Sequence, residues 1–153
     1  MKVREESLIL QNVITVEEII QHEEWFKPVL GLQRNLVNED IYYTSPVVFK
    51  IEEIDNEPNF GKYTYYIGLN TPVELAEDAG FEQQDVVQIG PAIWVRCAEI
   101  DELDEAYELL ENYAKERGWE LEPAFYHVTF DLFDDVIMDV YAVVKGADIE
   151  SWS

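Results

Sequence analysis

The feature that most constrains the fold is an apolar pattern that occurs twice along the chain, 78 positions apart. Four apolar residues fall at steps of four, three and four in each half: Trp25, Val29, Leu32 and Leu36 in the first, and Leu103, Tyr107, Leu110 and Ala114 in the second. This spacing places four side chains on one face of an α-helix. Pro46 also precedes Pro123 by 77 positions, and Tyr66 precedes Tyr141 by 75. The nearly constant offset predicts a duplicated unit, with repeats over approximately residues 8–70 and 86–145.

The second stretch, DELDEAYELLENYAKERG, predicts a helix with defined ends. Asp101 is a good N-cap, and Gly118 can adopt the left-handed conformation that commonly follows a helix. In the first stretch Pro28 lies within the apolar pattern, so that helix either begins near Pro28 or is kinked there. Between the repeats, TPVELAEDAG offers Thr71 as the N-cap of a short connecting helix.

Each repeat is predicted to contain a strand, a helix and two further strands. The expected strands span approximately 8–16, 41–51 and 62–69 in the first repeat, and 86–97, 124–132 and 136–144 in the second. Turn-forming residues in DNEPNFG and FDD join the last two strands of each repeat. Two such units predict an α+β fold with one antiparallel sheet, two main helices on one face and a pseudo-two-fold cleft. The chain, 1–153, is expected to be a single domain.

The charge of the chain narrows the classes of partner. The sequence has 33 acidic and 10 basic residues, a net charge of -23, and no basic cluster. Such a field repels nucleic acid and anionic membranes, and it attracts a cationic ligand or a basic protein. The alternative is that the acidity only keeps the protein in solution. No apolar run approaches a membrane span, and the single cysteine excludes an internal disulfide, so a cytoplasmic location is expected.

The end of the chain resembles a known family. The stretch AYELLENYAKERGWELEPAFYHVTFDLFDDVIMDVYAVV, with its preceding strand and its duplicate, is similar to the GyrI-like effector-binding domains, and in particular to stand-alone members from Gram-positive bacteria. In that family the last strand commonly reads Glu-Ile-Tyr-x-Pro, and its glutamate lies in a cleft that binds cationic ligands. Here the matching residues are Asp139, Val140, Tyr141, Ala142 and Val143, so the acid is shorter and the proline is absent. In the first repeat the position that matches Asp139 is Thr64.

Strand alternation groups the candidate binding residues. Asp139 and Tyr141 share one face of the last strand, while Trp94 and Arg96 share one face of theirs. With Tyr126, these residues predict a cleft in which aromatic faces and a carboxylate hold an organic cation. The alternative is that Asp139 is solvated or hydrogen-bonded on an open sheet. Arg96 can also pair with Asp139, which would neutralise the site.

Signals for catalysis, cofactors and metals are weak. His127 is expected to be a partly buried, hydrogen-bonded histidine, because the only other histidine is His22 on a distant segment and no metal or haem motif occurs. Cys97 is expected to be a small core residue and not a nucleophile. No phosphate-binding loop and no cofactor motif is present, and paired carboxylates fall on predicted surfaces.

Two functions follow from these observations. The first is a non-catalytic domain that binds a small, cationic or amphipathic organic molecule and acts as a stand-alone sequestering or accessory protein. The alternative is an acidic interaction factor, such as an inhibitor or a toxin-cluster accessory, that docks a basic protein. An enzyme is the least favoured class. Exposed strand edges allow either a monomer or an edge-strand dimer.

Overall fold

The computed structural model describes residues 1–25, 27–28, 46–69, 82–132 and 135–145. These residues form two compact units. The N-terminal unit is Leu10–Val87, and the C-terminal unit combines Met1–Ile9 with Gln88–Ser153.

The described residues form eight strands and one long helix. The strands are β1 (Arg4–Glu5), β2 (Leu8–Gln21), β3 (Val47–Glu53), β4 (Phe60–Gly68), β5 (Glu82–Ile89), β6 (Ala92–Cys97), β7 (Leu121–Leu132) and β8 (Asp135–Val144). The helix is α1 (Leu103–Glu116), and short 3-10 turns occupy His22–Glu24 and Ile100–Glu102. The pairs β1–β6, β6–β8, β7–β8, β2–β4 and β3–β4 are all antiparallel. The predicted α+β class with antiparallel strands is therefore confirmed.

The strand order is alike in the two units. It is β1-β6-β8-β7 in the C-terminal unit and β3-β4-β2-β5 in the N-terminal unit. In both, the third strand of the predicted repeat lies between the first and the second, as β6-β8-β7 and β2-β4-β3. The internal duplication, a single domain over 1–153, the second main helix and the cleft stay predictions.

Helix α1 packs on one face of the C-terminal sheet. Its fully buried residues Ala106 and Leu110 share a core with Val95, Val140 and Ala142 of β6 and β8. The predicted apolar stripe is the face that makes this contact. Burying these side chains removes apolar surface from water, which stabilises the fold by about 25 cal/mol for each Å² that is buried.

The end of α1 agrees with the prediction, and its beginning differs. Gly118 has a φ of 72°, and the amide of Trp119 donates to the carbonyl of Ala114 at 2.9 Å, as in a Schellman motif. Asp101, predicted as the N-cap, instead lies inside the 3-10 turn. Glu102 occupies the N-cap position without a side-chain capping bond. The acidic residues of this turn still favour the helix electrostatically.

Two strand predictions require correction. The single strand expected over 86–97 is broken between β5 and β6 at Gly90 and Pro91. A Cβ atom at position 90 would clash with the side chain of Ser7, and Pro91 has no amide hydrogen for a strand ladder. Strand β2 extends to Gln21, five residues beyond its expected end, because it pairs with the whole of β4.

The hairpin predicted at DNEPNFG is confirmed, since β3 and β4 pair antiparallel and Asn56 takes a φ of 67° in the turn. Other predictions lie outside the described residues: most of the first-repeat helix over 25–36, the start of the strand over 41–51, the connecting helix at Thr71 and most of the FDD turn. None of the helices in the described ranges combines the length and apolar character of a membrane span.

Candidate functional site

All five predicted binding residues lie on one face of the C-terminal sheet. Cross-strand pairing places them in two adjacent rows: Arg4, Trp94, Tyr141 and Tyr126 in the first, and Arg96, Asp139 and Val128 in the second. Because side chains alternate along a strand, this face is opposite the one that packs against α1. We refer to Trp94, Arg96, Tyr126, Asp139 and Tyr141 as the aromatic face. Its role in binding stays a prediction.

Asp139 and Arg96 form the ion pair that the sequence suggested. Arg96 Nε donates to Asp139 Oδ1 at 2.8 Å, and Arg96 Nη2 donates to Asp139 Oδ2 at 3.1 Å. The carboxylate side chain is only 4% exposed, whereas the arginine side chain is 59% exposed. These hydrogen bonds raise the pKa of Arg96 above its ordinary value. Within the described part of the chain, Arg96 is the only side chain that pairs with Asp139.

The guanidinium of Arg96 also lies near two aromatic rings. Its central carbon is 5.7 Å from the ring centre of Trp94 and 5.6 Å from that of Phe130. These distances fall within the range of cation–π attraction. The carboxylate and the rings thus already surround a cation, and this cation belongs to the protein itself.

Trp94 and Tyr141 form the stacked centre of the aromatic face. Their ring centres are 5.6 Å apart and their planes differ by 15°. Burial, and then the nearby charge of Asp139, raise the pKa of Tyr141 to about 12. Tyr141 is therefore a neutral phenol at physiological pH. Trp94 Nε1 is buried and has no hydrogen-bond acceptor among the described residues, which leaves a donor unused beside the ion pair.

Sequence reasoning missed one contributor to this face. Arg4, on the short strand β1, lies opposite Trp94, and its guanidinium carbon is 5.6 Å from the indole centre. A two-residue strand gives no periodic signal, so nothing in the local sequence marks it. Phe130 shares a face of β7 with Tyr126 because side chains alternate along a strand, but its contact with Arg96 depends on the register of three strands.

His127 and Cys97 lie on the helix side of the sheet. His127 is 1% exposed, and its Nε2 lies 2.6 Å from Tyr107 Oη. The predicted hydrogen bond is therefore confirmed, whereas the residue is fully buried and not partly buried as expected. Cys97 is fully buried in the core under α1, with its sulfur 3.9 Å from that of Met1. Burial raises the pKa of the Cys97 thiol, which disfavours the reactive thiolate. The surroundings of both residues are those of structural residues in the core.

The N-terminal unit carries a separate aromatic cluster. Trp25 stacks on Phe49 with ring centres 5.1 Å apart, and His22 Nδ1 lies 2.7 Å from Tyr63 Oη. Burial raises the pKa of Tyr63 to about 12. Thr64, which the predicted repeat aligns with Asp139, is buried and holds no charge. Across the described ranges, no three His, Cys, Asp or Glu side chains come together as a metal-binding set.

An open groove of about 370 Å³ lies at the C-terminal end of α1. Its lining combines apolar and acidic side chains: Trp119, Leu121, Phe125, Glu111, Glu120 and Glu122. Lys115 also lines it, and Lys145 Nζ is 3.6 Å from Glu120. The charged side chains at the groove therefore have a net negative charge, and they lie beside an apolar floor.

The chain is similar in fold to two solved structures. The crystal structure of the EcmrR C-terminal domain matches with a TM-score of 0.70 and 13% identity, over 95% of this chain and 98% of that one. A cryo-EM structure of an EcmrR–DNA complex matches with a TM-score of 0.68 and 12% identity. The match covers 95% of this chain and 58% of the EcmrR chain. At these identities the likeness concerns the fold. No protein-family model matches the sequence, and neither does any curated protein.

Proposed function

We propose that the protein is a non-catalytic binding domain whose aromatic face holds the cationic group of a small organic molecule. The observation that carries this proposal is the buried Asp139 carboxylate, which already holds a guanidinium beside Trp94 and Phe130. A site that stabilises one cation through a carboxylate and ring faces has the components to stabilise another. The fold shared with the EcmrR C-terminal domain and the resemblance to GyrI-like effector-binding domains both favour this reading.

Binding at this face requires Arg96 to give up the carboxylate. Its side chain is more than half exposed, so the displaced guanidinium can be solvated by water. An unpaired Asp139 would be costly at 4% exposure, so the incoming molecule must bring its own positive charge. Sequestration of that molecule is the role we propose.

A thermal-shift titration with lipophilic organic cations and their uncharged analogues tests this function. The matched variant is Asp139→Asn, which keeps the shape of the side chain and removes its charge. We expect cations to raise the melting temperature of the wild-type protein more than neutral analogues do, and this preference to disappear in the variant. If cations and neutral analogues give equal shifts in both proteins, the proposed function is wrong.

A second candidate is the docking of a basic protein at the groove beside α1. Three acidic residues and an apolar floor fit a lysine or arginine side chain, whose stem is apolar and whose head is charged. The net charge of -23 would also speed the encounter with such a partner. This is the interaction function that the sequence left open.

Titration with an oligolysine peptide tests this second candidate, because Trp119 lines the groove and its fluorescence reports occupancy. We expect Glu122→Gln to weaken binding more than Glu108→Gln, since Glu108 does not line the groove. We also expect affinity to fall as salt screens the charges. Equal effects of the two substitutions, or binding that does not respond to salt, would argue against the groove.

A further inference from the structure

The Arg96 side chain shows how a bound cation fits the aromatic face. Two nitrogens of one planar group donate to the two oxygens of Asp139, at 2.8 and 3.1 Å. This fork-to-fork arrangement is specific to planar groups with two parallel N–H donors. The same group lies within 6 Å of the ring centres of Trp94 and Phe130. The subsite is therefore shaped for a flat, bidentate donor.

We propose that this subsite selects molecules with an amidinium or guanidinium group, and that Arg96 is a built-in competitor that each such molecule must displace. The inference rests on the proposed function and adds to it the chemical class of the ligand. A quaternary ammonium ion has positive charge but no N–H donor. Placed beside Asp139, it would leave both buried oxygens without the hydrogen bonds that Arg96 supplies.

Competition with Arg96 should lower the affinity of the wild-type protein for an amidinium. In the wild-type protein an amidinium must replace two hydrogen bonds that are already formed, so much of its interaction free energy is cancelled. Substitution Arg96→Ala removes the competitor and also the methylene stem, which leaves space for the ring of a small aromatic amidine. We expect this variant to bind benzamidine at least about tenfold more tightly than the wild-type protein.

The experiment compares benzamidine with benzyltrimethylammonium, which carries the same ring and charge without N–H donors. Binding of each is measured by calorimetry and by thermal shift on the wild-type protein, Arg96→Ala, Arg4→Ala and the double variant Arg96→Ala/Asp139→Asn. Arg4→Ala is the matched control, because Arg4 lies equally close to Trp94 but makes no bond to Asp139. If Arg96→Ala does not fold alone, recovery of its folded state by each compound becomes the measurement.

The expected result is a benzamidine-specific gain in Arg96→Ala, no gain in Arg4→Ala, and loss of the gain in the double variant. If benzyltrimethylammonium binds Arg96→Ala as well as benzamidine does, the site takes cations but does not select amidinium groups, and the inference is wrong. Equal affinity of benzamidine for the wild-type protein and Arg96→Ala would refute the competitor role. If neither cation binds any variant, the proposed function fails as well.

Discussion

We predict that substituting Arg96 and substituting Asp139, the two partners of the ion pair, lower the free energy of unfolding by different amounts. The carboxylate is 4% exposed and the guanidinium side chain 59% exposed. Removing Arg96 leaves the buried Asp139 carboxylate without a partner and with little access to water. Removing the charge of Asp139 leaves a guanidinium that water can solvate. Breaking a buried pair by deleting one partner costs about 3–5 kcal/mol, and deletion from an exposed pair costs about 1 kcal/mol or less.

The magnitude follows from the geometry of the pair. At a separation of about 4 Å the attraction is about 4 kcal/mol in a protein-like medium and about 1 kcal/mol in water. Because one partner is solvated and the other is not, we expect a coupling free energy of about 2 kcal/mol. Arg96→Met should then destabilise the protein by about 3 kcal/mol, and Asp139→Asn by about 1 kcal/mol. The double variant should lose about 2 kcal/mol.

Urea denaturation of the wild-type protein and the three variants, followed by circular dichroism at neutral pH, measures this cycle. The helical signal is the appropriate probe, because α1 packs on β6 and β8, the strands that carry the pair. A cost for Asp139→Asn equal to or above that for Arg96→Met would refute the reasoning from exposure. A coupling below about 0.5 kcal/mol would show that the pair behaves like an ordinary surface contact.

Three further predictions concern the C-terminal unit. Leu110→Ala should lower the free energy of unfolding, measured by urea denaturation, by about 2–5 kcal/mol, because the Leu110 side chain is fully buried. Glu108→Ala, on the exposed side of α1, should change it by about 0.5 kcal/mol or less, and similar losses in the two variants would mean that α1 packs differently. Tyr107→Phe should cost about 1–2 kcal/mol, because buried His127 loses a partner at 2.6 Å, and a cost near zero would contradict that bond. The pKa of Tyr141 is raised from 10.0 to about 12, so the neutral phenol contributes stability that is complete below pH 10 and is lost as the pH rises to about 12. Between these values the wild-type protein should lose about 2–3 kcal/mol more than Tyr141→Phe, and parallel losses would contradict the burial of the hydroxyl.

The sequence predicted the grouping of the candidate residues well, because alternation along a strand is a local property. Asp139 and Tyr141 separate from Val140 and Ala142 by a period of two, and the structure keeps this separation. The helical period likewise identified the face of α1 that contacts the core. Both patterns are written in neighbouring residues, so no knowledge of the rest of the chain is needed.

The contacts between distant segments were harder to predict. The position of Arg4 over Trp94 depends on the register between strands that lie about 90 residues apart along the chain, and register leaves little trace in a short polar strand. The break at Gly90 and Pro91 had a visible signal in the Gly-Pro pair, and the apolar residues on both sides obscured it. The Arg96–Asp139 pair was foreseen as an alternative, but its bidentate geometry follows only from strands β6 and β8 being in register.

The placement of β1 has a consequence for how the chain assembles during its synthesis. The N-terminal unit is one continuous stretch, so all of its strands are synthesised before β6. The C-terminal unit is discontinuous, because β1 precedes the N-terminal unit along the chain and pairs with β6, which follows it. Arg4 and Glu5 therefore cannot pair with β6 until the whole N-terminal unit has been synthesised. A cut or an inserted tag near Arg4 should thus disturb the C-terminal unit, although it lies far from the rest of that unit in sequence.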